Sequence, residues 1–112
     1  MEAPRLPAVP ATFYGAVMGG GDFRPVAGLG VTAWVEGRLC GQGRTLALAR
    51  QVVYVVDVNA QGQEGYCGAL GSRVTFEIDG IPMNLAALWD NNRLWELNLF
   101  DSQRLYLPVI RR

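Results

Sequence analysis

Residues 74–100, VTFEIDGIPMNLAALWDNNRLWELNLF, decide the fold. Val74, Phe76 and Ile78 alternate with Thr75, Glu77 and Asp79, a period of two that sets the apolar side chains on one face of a pleated strand. Asp79-Gly80 predicts a two-residue type I′ hairpin, because that loop needs positive φ at both positions, which Gly takes freely and Asp tolerates. The return strand carries Met83, Leu85, Ala87 and Trp89 in one phase. Asp90-Asn91-Asn92 predicts a second tight turn, after which Trp95, Leu97 and Leu99 alternate with Glu96, Asn98 and Phe100. The stretch reads as a three-stranded meander with one oily face, and such a face has to lie on a second layer.

Upstream segments supply that layer. Residues 12–18 read as a strand with Phe13, Gly15 and Val17 in phase, and a glycine inside a strand points to a bulge or to close approach of another backbone. Residues 31–36 follow, with Val31, Ala33 and Val35 facing inward and Trp34 outward, and Glu36-Gly37-Arg38 turns the chain. Val52, Tyr54, Val56 and Val58 mark a core strand, but its other phase, Val53 and Val55, is apolar too. A strand greasy on both faces is either covered twice or presents a patch to a partner. Residues 46–50 are too few to hold a helix unaided and read as strand or loop. Pro108 suits residues 105–110 to a last edge strand. At the other end, Pro4, Pro7 and Pro10 make residues 1–11 a Pro-rich linker or docking arm, which leaves residues 12–110 as a single β-sandwich domain.

Bulk composition narrows the function. The 112 residues carry no net charge, which argues against nucleic acid, and no apolar run approaches the roughly 18 residues of a membrane span. The first residues lack the pattern of a signal peptide, so an exported form of this chain would be a trimmed one. All of its basic residues are Arg, and it has neither His nor Lys. Ser-His-Asp and Cys-His arrangements, Schiff bases, His-bearing zinc sites and the lysine of a phosphate loop are therefore excluded. Glu77 and Glu96 read as solvated sheet carboxylates rather than a glycosidase pair, and the Asp and Asn clusters at residues 57–59 and 90–92 as turn chemistry rather than calcium ligands. The expectation is a non-enzymatic chain without cofactor or metal.

Cys40 and Cys67 are the two cysteines. Two buried thiols of a cytosolic protein is one reading; one disulfide in a short Gly-rich β domain is the other. The bridge is favoured because both residues sit beside Gly in turn-rich segments, where a merely apolar Cys has little to pack against. The aromatic and aliphatic residues of outward phases, Trp34, Tyr14, Val53 and Val55, together with Tyr66 in the loop, are the candidate contacts for a partner or ligand.

Read in order, Phe13-Tyr14-Gly15, Arg24-Pro25-Val26-Ala27-Gly28, Val31-Thr32-Ala33-Trp34-Val35, Leu39-Cys40-Gly41, residues 54–58, Cys67-Gly68 and residues 74–80 resemble a known pattern. It is that of small immunoglobulin-like or prealbumin-like modules, akin to carboxypeptidase regulatory domains, on exported bacterial surface proteins. The likeness spans about residues 12–100 and departs at residues 46–53, an apolar insertion where a short polar turn is expected. The resemblance implies a seven-stranded all-β sandwich that acts as spacer, adhesive or assembly unit, often with its cysteines bridged. The expected function is that of a structural or interaction module, extracellular or at the cell surface, with a protein partner or a second copy bound by edge-strand addition. The alternative is carbohydrate binding through exposed aromatics, Trp34 with Tyr14 or Tyr66.

Overall fold

The computed structural model describes residues 9–20, 22–61 and 67–101. Among them are nine strands and no helix: β1 Ala11–Met18, β2 Gly30–Val35, β3 Arg38–Arg44, β4 Leu46–Leu48, β5 Gln51–Val58, β6 Arg73–Ile78, β7 Ile81–Leu88, β8 Trp95–Glu96 and β9 Leu99–Phe100. The first sheet runs β4-β5-β1-β8, with β9 also paired to β1; the second runs β3-β2-β6-β7. Apart from β1 with β8 and with β9, which are parallel, the strand pairs are antiparallel. The expected arm at residues 1–11 lies mostly outside the described residues, as do the edge strand at 105–110 and Tyr66. Ala11 belongs to the body of the domain: it is fully buried and pairs with Val58 at the start of β1.

The two inner faces meet as the alternation dictates. Phe13, Val17, Tyr54, Val56 and Val58 of the first sheet pack against Val31, Ala33, Val35, Val74, Phe76 and Ile78 of the second. Phe13 meets Phe76 edge-on at 5.4 Å between ring centroids. Asp79 and Gly80 have φ of 54° and 78°, and Glu36 and Gly37 of 51° and 79°, so both β6–β7 and β2–β3 close with the positive-φ pair of a type I′ hairpin.

Two places depart from the meander reading. Met83, Ala87 and Trp89 keep the inward phase but Leu85 leaves it: Glu77 pairs with Pro82 and Thr75 with Ala86, so β7 bulges opposite Phe76 and Leu85 is pushed out to 41% exposure. After Trp89 the chain does not pair with β7 as the next strand, and meets it again at Met83, through an antiparallel bridge to Asp101, and at Asn84, whose Oδ1 accepts from Phe100 N. It crosses to the first sheet, where Trp95 and Leu99 pair with Phe13 and Val17 of β1. The crossing starts with the expected turn chemistry, Asn92 N donating to Asp90 Oδ1, and is held further by the Trp95 indole donating to the Asp90 carbonyl and Asn91 Nδ2 to the Val9 carbonyl. An apolar phase demands an inner face, but both sheets look onto the same core, so periodicity alone does not select between them.

Two strands are broken without leaving their course. At Thr45 the run from β3 to β4 passes from the second sheet to the first. Thr45 is buried and holds the corner with four bonds: its N–H and carbonyl pair with Leu29 O and Gly28 N, while its hydroxyl donates to Val26 O and accepts from Leu29 N. Between β8 and β9, residues 97 and 98 press against β1 over Gly15. A Cβ at Gly15 would stand 2.5 Å from the Leu97 carbonyl oxygen, which explains the glycine as a close backbone approach. Tyr54 Oη donates to that same carbonyl at 2.6 Å, and Asn98 Oδ1 accepts from Ala16 N at 2.9 Å in place of a ladder carbonyl. Burial raises the Tyr54 phenol well above its ordinary pKa.

Candidate functional site

Cys40 and Cys67 are joined in a disulfide, with Cα atoms 5.6 Å apart. The bridge ties β3 to the loop before β6, at the end of the sandwich where Asn59 N donates to the Cys40 carbonyl and Gly68 N to the Asn59 carbonyl. Trp89 is buried directly beneath Gly68, whose missing side chain leaves room for the indole, and its Nε1 donates to the Val58 carbonyl. This cluster is a structural clamp: its polar atoms are spent on one another, and the disulfide is half inside the core.

The outer face of the first sheet is different. Register places Tyr14 opposite Val55 and Ala16 opposite Val53 across β1 and β5, and Val53 opposite Leu46 across β5 and β4. Paired residues share a face, so three of the residues expected to contact a partner, Tyr14, Val53 and Val55, form one surface. Leu46 and Leu48 extend it to the sheet edge at 56% and 64% exposure, beside Val55 at 51%. A shallow depression of about 380 Å³ runs along it, floored by Ala16 and Val53 and bordered by Leu48 and Asn98. Charges surround it: Asp57, which accepts from Thr12 Oγ1, at one end, Arg50 in the turn after β4 at the other, and Glu96 beside Tyr14 along its β8 side.

Leu46, Leu48 and the outward Met18 were not singled out by the sequence reading. The signal for the two leucines was the L-A-L alternation in the insertion at residues 46–53, and for Met18 the outward phase of β1. Trp34 is not part of this surface. It projects from the second sheet, between Leu39 and Thr75, half buried, with its indole N–H bonded to Thr32 Oγ1 at 3.0 Å. Trp34 and Tyr14 therefore face opposite directions and cannot form one sugar platform. Glu77 and Glu96 are likewise on different sheets, which removes any paired-carboxylate geometry between them. Among the described residues no group of three or more Cys, Asp or Glu is placed to hold a metal ion, and no helix is long and apolar enough to cross a membrane.

Comparison of the chain with protein-family models, with curated proteins and with solved structures finds no match in any of the three. The likeness to immunoglobulin-like and prealbumin-like modules rests on the sequence pieces alone.

Proposed function

We infer that this chain is a non-catalytic structural or interaction module of an exported protein, at the cell surface or in an extracellular assembly, and that it associates with further copies of itself by strand addition at an open edge. The observation that carries the reading is the continuity of the exposed apolar face with β4, whose single partner strand among the described residues is β5. A short strand with no neighbour on one side offers unpaired backbone groups to an incoming strand, and the leucines beside it supply the apolar contact. The disulfide supports an oxidising compartment. An immunoglobulin-like or prealbumin-like topology is part of the proposal: β3 with β4, and β8 with β9, are each one extended run, which brings the nine strands to the seven runs of such modules.

The test is light scattering on the oxidised chain, with and without residues 1–8. That truncation spares Ala11, which β1 needs. The added strand is assigned to the arm, so species larger than a dimer are expected in the full chain and are lost on truncation. A mass distribution that truncation leaves untouched refutes edge addition by the arm.

A further inference from the structure

We propose that the outer face of the first sheet is a homotypic contact, in which two copies stack face to face about a twofold axis perpendicular to the strands. The inference rests on the reading of the chain as a self-associating module and names a surface for it.

The occupant follows from the layout of the face. Its centre, Val53, Val55, Tyr14 and Leu46, carries no ionisable side chain other than the phenol, and Glu96, opposite Tyr14 on β8, stands at its lateral rim, so a second copy centred on β5 meets it without burying a charge. Its charges along β5 are opposite at the two ends, with Asp57 at one and Arg50, in the turn before Gln51, at the other. A twofold axis across the strands reverses strand direction while keeping β5 over β5. The Arg50 end of one copy then lies over the acidic end of its mate, twice per dimer, as an isologous contact requires. An axis parallel to the strands would instead stack acid on acid.

The size of the face sets the strength. Four strands at ~4.8 Å spacing and about seven residues at ~3.3 Å rise make a flat area on the order of 450 Å². That is below the ~800 Å² per partner of a standard interface, so a weak, concentration-dependent dimer is expected.

Sedimentation equilibrium on the oxidised chain lacking residues 1–8 reads this contact apart from any arm-mediated assembly. Dimers are expected there. V55D, at a half-exposed position, should raise Kd at least about thirtyfold, as loss of a central contact does, with the unfolding midpoint held. L94D, which changes a leucine exposed at 63% against 51% for Val55 but on the β7–β8 crossing, should leave Kd unchanged. R50E should weaken the dimer several-fold, and R50E with D57R should restore it, because the axis lays the turn before β5 over the Asp57 end of β5 in the mate and the swap is compensated across the twofold. The proposal is overturned by a chain monomeric to about 0.5 mM, by dimers that survive V55D, or by a charge swap that fails to restore them. Dimers insensitive to V55D but lost on removing residues 102–112 would assign the contact to that tail, again overturning the face. None of these outcomes depends on whether residues 1–8 add a strand, so failure here and failure of edge addition are separable.

Discussion

Replacing Gly15 by Ala tests the feature on which closure of the first sheet depends. The added methyl would lie 2.5 Å from the Leu97 carbonyl oxygen and 2.8 Å from Asn98 Oδ1, both held in place by bonds of their own. Forcing a methyl into a filled site costs about 1 to 3 kcal/mol where the surroundings can shift. Here the shift has to carry the Leu97 carbonyl away from Tyr54 Oη and Asn98 away from Ala16 N, each of those bonds worth about 1 kcal/mol net. The expected loss is therefore about 3 to 5 kcal/mol, a large share of the ~5 to 15 kcal/mol that holds a domain together. Urea unfolding followed by tryptophan fluorescence, with the disulfide intact, measures it. G30A is the matched control: Gly30 is also in a strand, has no atom within 4 Å of the added Cβ and has no positive φ, so it should be neutral or slightly stabilising. A G15A variant within about 0.5 kcal/mol of the parent would refute the account of residues 97 and 98 as a rigid inward step over β1.

Tyr54 adds a pH dependence of known sign. Its phenol stays protonated in the fold because burial raises its pKa, whereas an unfolded chain releases that proton near pH 10. The contribution is fully present below about pH 10 and is lost as pH rises further, with a limiting slope of about 1.4 kcal/mol per pH unit. Unfolding free energies from urea titrations should carry no Tyr54 slope near pH 8 and should bend down from about pH 10 in the parent, less so in Y54F, which should also lose about 1 to 3 kcal/mol at pH 7 by stranding the Leu97 carbonyl; parallel curves would contradict it. Opening the Cys40–Cys67 bridge, which closes a sequence separation of 27, should cost about 3.5 kcal/mol on the chain-entropy model, read as a lowered urea midpoint after reduction and alkylation. A midpoint unmoved by reduction would show that the loop is held by its hydrogen bonds to Asn59 and Trp89 instead.

Much of this architecture is local and was therefore legible in the chain. Alternation of period two sorts Phe13, Val31, Val56, Val74 and Ile78 inward whatever they pack against, because side-chain direction along a strand is a property of the backbone. Asp79-Gly80 and Glu36-Gly37 declare their hairpins because positive φ is a cost borne by single residues. The apolar second phase at Val53 and Val55, and the two cysteines beside glycines, were likewise visible as patterns. Partner choice was not. Residues 95–100 join β1 rather than β7, and Trp34 and Tyr14 face away from each other, because each depends on which of two sheets a strand enters. The alternation that drives a strand to the core is the same for both sheets, since they share one interior; the decision falls to contacts far apart in sequence, such as Tyr54 with Leu97 and Asn84 with Phe100. For the same reason the leucines of β4 became one surface with Tyr14 only when antiparallel register set β4, β5 and β1 side by side.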